Sequence, residues 1–147
     1  MITDTISQKI AEALKGKDEL KVTTYRLLSS ALNYEFIAKQ HKLSEEEEWV
    51  IVEREIKKRK EAIEAYEKAK AIDRAEKERE EMEILVKFLP KQLSDGEIEK
   101  IVEEALDQTK VTSMSDMGKV MGIVMSQVRG KADGNKVLEI VKRKLAH

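Results

Sequence analysis

The chain has 147 residues, of which 39% are charged and 41% hydrophobic, with a formal net charge of −1. This composition, with a single proline, is typical of a helix-rich protein with one domain or two small ones. The absence of cysteine excludes disulfides, zinc–thiolate sites and a cysteine nucleophile, and fits a reducing compartment. Neither a secretory signal nor an apolar run of about 18 residues is visible. We therefore predict a cytoplasmic protein without membrane contact.

The amino-terminal sequence predicts a pair of amphipathic helices. The first runs from Thr3 to about Lys15, and Gly16 ends it. Asp18 is placed to cap the second helix, which fades near residues 40–42. One face of this second helix carries an apolar stripe, made of Tyr25, Leu28, Leu32 and Phe36.

A highly charged segment, residues 44–89, predicts a long antiparallel helical hairpin. Ser44 and Glu47 have the spacing of a capping box. A seven-residue register follows, at Trp49, Val52, Ile56, Arg59, Ile63, Tyr66 and Lys70. Asp73 and Glu76 repeat the capping-box spacing, which places the turn at residues 71–73, with one continuous helix as the alternative.

Pro90 ends the return helix, because the residue before a proline is pushed out of the α region. We therefore predict an all-α protein with an amino-terminal helical domain, residues 1–90, that contains the hairpin. A small carboxy-terminal three-helix domain, residues 94–147, completes it. Its first helix starts with a second capping box, formed by Ser94 and Glu97.

The second helix of this small domain is expected after a polar link, residues 107–113, with Ser115 as its cap. It carries Gly118 and Gly122, which lie one above the other on a helix surface. Each glycine costs a helix interior roughly 0.5–1 kcal/mol relative to alanine. Either another backbone packs closely there, which is the preferred interpretation, or a bulky ligand does.

The segment 130–134 predicts a tight corner before the last helix. Gly130 can adopt the left-handed conformation that closes a helix, and Asp133 can cap the next one. Arg129 and Lys131 stand beside the amide groups of this helix start, a combination that suits a phosphate. A plain corner with solvated basic residues is the alternative.

Charge is distributed unevenly along the chain. Residues 117–147 carry seven basic and two acidic side chains, a local charge of +5, whereas the other 116 residues sum to −6. A basic end of this kind hints at contact with nucleic acid. Aromatic residues make up only 4%, so stacking platforms for single-stranded bases are not expected.

The sequence offers no catalytic constellation. His41 lies in a polar loop and His147 at the terminus, and neither has a serine or carboxylate partner at a readable spacing. The acidic run, residues 45–48, is a poor metal site because adjacent residues point in different directions around a helix. We therefore expect no catalytic residue, no metal and no cofactor.

Several segments together carry a family resemblance. Residues 88–94 read Phe-Leu-Pro-Lys-Gln-Leu-Ser, residues 117–122 read Met-Gly-Lys-Val-Met-Gly, and residues 130–134 read Gly-Lys-Ala-Asp-Gly. With residues 25–28, Tyr-Arg-Leu-Leu, and residues 31–35, Ala-Leu-Asn-Tyr-Glu, they resemble the YqeY family over essentially the whole chain. That family shares its carboxy-terminal domain with the tail of GatB, which belongs to the tRNA-dependent amidotransferase, a carbon–nitrogen ligase that uses glutamine as amido-N donor.

The resemblance implies a tRNA-binding tail module that acts as an accessory factor in tRNA-dependent amidation. The large kinase-like domain of GatB is absent from this sequence, so catalysis by the chain alone is not expected. The candidate tRNA-binding residues are Gly118, Lys119, Gly122, Arg129, Gly130, Lys131, Gly134, Lys136 and Arg143. The alternative function is a helical protein–protein interaction module that binds a protein partner through the charged hairpin.

Overall fold

The computed structural model describes residues 1–146, which contain seven α-helices, one short 3-10 helix and no strand, so the all-α prediction is confirmed for this span. His147 lies outside the described residues. In chain order the helices are α1, Ile2–Lys15; α2, Glu19–Lys39; α3, Glu45–Lys68; α4, Ile72–Val86; α5, Asp95–Thr109; the 3-10 helix, Met114–Asp116; α6, Met117–Val128; and α7, Gly134–Leu145.

The chain folds as two compact units, Met1–Leu89 and Pro90–His147. In the first unit, α3 packs along α4, and α1 packs on α2. In the second unit, α5, α6 and α7 all pack against one another. Each unit has its own apolar core, built in the first around Leu28, Val52 and Leu85 and in the second around Val102, Val124 and Val141.

Side-chain caps begin four helices where the sequence predicts them. Ser44 with Glu47 and Ser94 with Glu97 form complete capping boxes at α3 and α5. The carboxylate of Asp18 accepts from the backbone N–H of Lys21, and Asp133 caps α7 in the same way. These local hydrogen bonds satisfy amides that the first helical turn leaves without partners.

The turn between α3 and α4 differs from its prediction. Helix α3 ends at Lys68 and α4 begins at Ile72 with Ala71 at its cap, so the predicted capping box at Asp73 and Glu76 is wrong. Lys70 takes a left-handed φ of 60°, and the Ala71 N–H donates to the Tyr66 carbonyl oxygen at 2.8 Å. This is a Schellman closure without glycine, a type of helix end that the residue pattern does not signal.

The link before α6 is also corrected. Helix α5 continues to Thr109, and Lys110 closes it with a φ of 55°, so the predicted polar link at residues 107–113 begins too early. Ser113, rather than the predicted Ser115, supplies the capping hydroxyl, and it caps the 3-10 helix. A 3-10 turn ahead of a helix moves the capping position toward the amino terminus, because it adds a turn of its own.

The buried carboxylate of Glu48 ties α3 to the start of α1. Its two oxygens accept from the backbone N–H of Ile2 at 3.1 Å and of Thr3 at 2.7 Å, and the Thr3 hydroxyl also donates to it. A carboxylate is well placed there, since unpaired amides and the helix dipole both favour negative charge. Two glutamates of the acidic run at residues 45–48 thus cap helix starts. Glu48 caps α1, and Glu47 is part of the capping box of α3.

A second buried ionic group joins α3 to α4. The Arg59 Nε lies 3.1 Å from a Glu81 oxygen and 3.6 Å from a Glu78 oxygen. Burial, followed by the nearby charge of Glu81, raises the pKa of Glu78. Further along, Arg79 pairs with Glu67. These five charged side chains therefore hold the two helices of the hairpin together.

Replacing the Glu48 carboxylate should destabilise the first unit. We expect Glu48→Gln to cost about 1–3 kcal/mol in the free energy of unfolding, because its amide nitrogen cannot accept from buried N–H groups. Denaturant unfolding followed by circular dichroism measures this change. Glu45→Gln, an exposed control in the same turn, should stay within about 0.5 kcal/mol; equal losses for both variants would contradict the capping role.

Candidate nucleic-acid interface

Helix α6 has one fully buried face and one open face. Val120, Val124 and Val128 are inaccessible to solvent and form the centre of the second unit's core. On the opposite side, Gly118 and Gly122 are exposed. A Cβ atom built on either glycine finds no neighbour within 4 Å in the described chain. The predicted close helix packing at these glycines is therefore wrong within this chain, because the valines, rather than the glycines, face α5 and α7.

We call Gly118, Gly122 and Ser126 the glycine ridge, because their four-residue spacing aligns them on the surface of α6. Ser126 is exposed, and its hydroxyl donates to the Ile123 carbonyl oxygen at 2.7 Å. With no side chain on two of its three positions, the ridge lets a ligand approach the helix backbone closely. The only charged side chain on α6 is Lys119, which is exposed beside the ridge.

The corner after α6 is held by the segment that follows Pro90. Gly130 has a φ of 78°, as predicted, and Gln92 Nε2 donates to its carbonyl oxygen at 2.8 Å. The same amide donates to the Pro90 carbonyl oxygen at 2.9 Å, and the Leu93 N–H donates to that of Lys131 at 2.8 Å. Gln92 thus fixes the position of the basic corner. Nothing in the residue pattern around Gln92 signals this role, since Gln92 and Gly130 lie 38 residues apart in the chain.

The start of α7 already holds an anion. The Asp133 carboxylate accepts from the Asn135 N–H at 2.9 Å, which satisfies one of the free amides of the first turn. A phosphate at this helix start would face that carboxylate. The amide-based phosphate site considered from the sequence is therefore electrostatically unfavourable, and the basic side chains around the corner remain the better anion contacts.

Three of the four basic residues of α7 are paired with acidic residues of α5. Lys136 Nζ lies 2.6 Å from an Asp95 oxygen, and this hydrogen bond, with the charge of Asp95, raises the pKa of Lys136. Two further ion pairs join the helices, Arg143 with Glu99 and Lys144 with Glu103. Residues 90–147 carry ten basic and nine acidic side chains in all. The charge of +5 counted for residues 117–147 is therefore largely compensated once α5 is packed beside α7.

The nine candidate residues consequently fall into distinct environments. Gly118, Lys119 and Gly122 lie together on the open side of α6, and Arg129 and Lys131 are exposed at its carboxy end. The other four candidates lie in the corner itself or on α7. Gly130 is buried in the corner, Gly134 is half-buried with its Cβ position 3.7 Å from the Met125 methyl carbon, and Lys136 and Arg143 are ion-paired.

The described residues lack the features of a metal site or of a membrane-spanning helix. In residues 1–146 no group of three or more His, Asp or Glu side chains is arranged to hold a metal ion. His41 is exposed, and its Nδ1 lies 2.9 Å from the Lys42 carbonyl oxygen. None of the helices in this span combines the length and apolar character needed to cross a bilayer.

Removing the Gln92 amide should loosen the corner. We expect Gln92→Ala to destabilise the second unit by about 1 kcal/mol, a typical net value for hydrogen bonds of this kind. Gln92→Glu should be at least as costly at neutral pH, since it sets a carboxylate against the Gly130 carbonyl oxygen. Thermal unfolding measures both, with the exposed Gln108→Ala as control. A Gln92→Ala variant as stable as the control would argue against the clamp.

Comparison with known proteins places this architecture among relatives. Over 57 residues the chain is 46% identical to the E subunit of glutamyl-tRNA(Gln) amidotransferase from Thermococcus sibiricus, a match that covers 36% of this chain and 9% of that protein. The corresponding protein of Thermococcus gammatolerans is 40% identical over 57 residues, with the same coverage. The chain therefore spans about a tenth of the length of these relatives.

Two further matches cover more of the chain. An uncharacterized protein of Schizosaccharomyces pombe is 29% identical over 90 residues, which is 61% of this chain and 73% of that protein. A family described as Yqey-like protein matches residues 3–145, so both compact units lie almost wholly within the match. The chain belongs to the YqeY family and is related to a region of the E subunit of glutamyl-tRNA(Gln) amidotransferase.

Proposed function

We propose that the unit Pro90–His147 binds tRNA through the glycine ridge of α6, with Lys119, Arg129 and Lys131 contacting phosphates. The observation that carries the proposal is the open ridge. Two glycines lower the stability of α6, yet the Cβ positions of both are free of neighbours in the described chain. Packing within the chain therefore does not account for the glycines, whereas close approach of a ligand to the backbone does.

A ridge of this kind suits a folded RNA better than a single strand. It offers exposed peptide groups, one hydroxyl and a few cations, which match phosphates and ribose hydroxyls. Such contacts recognise the shape of the RNA backbone with little reading of base sequence. The relatives whose names specify a glutamyl-tRNA(Gln) substrate make tRNA the RNA of choice.

The role we propose is that of an accessory module in tRNA-dependent amidation, acting in the cytoplasm and without catalysis of its own. The chain covers about a tenth of the related amidotransferase proteins, so the reaction itself would belong to a partner enzyme. A protein partner bound through the charged hairpin has weaker support, since Arg59 and Arg79 pair within α3 and α4.

Filling the ridge should separate stability from binding. Gly118→Ala and Gly122→Ala should each stabilise α6 by up to about 1 kcal/mol, because alanine is the better helix former and its methyl group meets no neighbour. Affinity for labelled tRNA should nevertheless fall, as the methyl groups hold the RNA backbone away. Fluorescence anisotropy and thermal unfolding on the same variants measure both.

Gly96→Ala is the matched control for the ridge variants. Gly96 lies in the first turn of α5, and its Cβ position is equally free of neighbours. This variant should keep or raise stability while leaving tRNA affinity unchanged. Unchanged affinity in the α6 variants would remove the ridge from the proposal, and no tRNA binding by the parent protein at low salt would end the proposal.

Removing the cations should change the salt dependence of binding. The double variant Lys119→Ala, Lys131→Ala should bind tRNA more weakly. The slope of log affinity against log salt should become less steep by about 0.7–0.9 for each of the two phosphate contacts that are lost. Stability should stay within about 0.5 kcal/mol, because both side chains are exposed. Lys100→Ala, an exposed lysine on α5, is the control. A slope identical to that of the parent would contradict phosphate contact.

A further inference from the structure

Helix α2 has an apolar outer face in addition to its buried one. The inner side chains Val22, Leu28 and Leu32 lie in the core of the first unit or at its edge. On the outside, 46% of Leu27, 76% of Tyr34 and 63% of Ile37 is exposed. Apolar residues on both sides of a surface helix indicate that the outer side has a partner.

The outer residues follow a coiled-coil spacing. We call four of these positions the outer seam: Leu27, Ser30, Tyr34 and Ile37. They are separated by steps of three, four and three residues. This spacing keeps one straight line of side chains facing a neighbouring helix. The partner that fits is therefore another helix lying along α2.

Charge is nearly absent around the outer seam. Among the seam and the positions that flank it, Arg26, Ala31, Asn33 and Ala38, the only charged residue is Arg26, although 39% of the chain is charged. Within residues 1–146, Arg26 forms no ion pair. Depletion of charge at an exposed apolar centre is a feature of protein–protein interfaces.

We propose that the outer seam is a dimer interface, occupied by the α2 helix of a second copy of this chain in antiparallel orientation. Antiparallel pairing centred at residue 32 sets Leu27 against Ile37 of the second copy and the large Tyr34 ring against the small Ser30. Two-fold symmetry repeats both pairs, so each seam position meets a complementary one. No other register of the seam gives both pairings.

The flanks of the same register are also compatible with a second copy. On one side the small residues Ala31 and Ala38 allow close approach of the two helices. On the other side the Asn33 side chains of the two copies lie next to each other, and an amide can both donate and accept a hydrogen bond. Arg26 lies level with the end of the second copy's α2, where the cap residue Gln40 is uncharged. The chain itself supplies every side chain that this pairing needs.

Sedimentation velocity of the full chain tests the interface. The unsubstituted protein should sediment as a species of twice the 16.9 kDa mass of one chain. Tyr34→Glu should raise the dissociation constant of the dimer about 30-fold or more, because it removes a central aromatic anchor. Ile72→Glu is the matched control: its side chain is 62% exposed and lies at the start of α4, away from the seam. A monomeric parent, or equal effects of the two variants, would overturn the proposal.

Cysteine crosslinking tests the orientation, since the native chain has no cysteine. Leu27→Cys and Ile37→Cys should form a disulfide dimer when the two variants are mixed and oxidised, and little when each is oxidised alone. A parallel pair would crosslink each variant with itself. Self-crosslinking as fast as the mixed reaction would therefore overturn the antiparallel arrangement.

Discussion

Burial of one valine face fixes the orientation of α6, and the proposed function depends on that orientation. Val120, Val124 and Val128 are fully buried against α5 and α7, so the opposite side of the helix faces outward. Had the two glycines faced the core, they would have served close helix packing. Because they face outward, they lower the stability of α6 without a compensating contact in the described chain, and they open its backbone to a ligand.

Ionic contacts join helices in both units. Glu48 caps α1 from α3, Arg59 joins α3 to α4, and Lys136 joins α7 to α5. In the first unit both Glu48 and Arg59 are buried and bind groups on another helix. Removing either partner would leave a buried polar group unpaired at low dielectric, which destabilises the fold. The ion-paired residues of α7 therefore differ in environment from Lys119, which lies beside the glycine ridge, and from Lys131, which lies beyond it.

The sequence alone predicts the features that depend on hydrogen bonds within one helical turn. Capping boxes at Ser44 and Ser94 depend on hydrogen bonds within one helical turn, so their spacing identifies them directly. Gly130 and Asp133 were predicted correctly for the same reason. The ends of α3 and α5 were misplaced because Lys70 and Lys110 adopt left-handed conformations, which carry no residue signature comparable to that of glycine.

The sequence by itself determined the helical class, most helix starts and the family, since these follow from short-range patterns and ordered motifs. Only the tertiary structure decided which way Gly118 and Gly122 face, because both sides of α6 carry small or apolar residues. It likewise decided that Lys136 and Arg143 are paired, since their partners lie some forty residues away on α5. Contacts between distant residues depend on how helices pack, which the spacing within each helix does not specify.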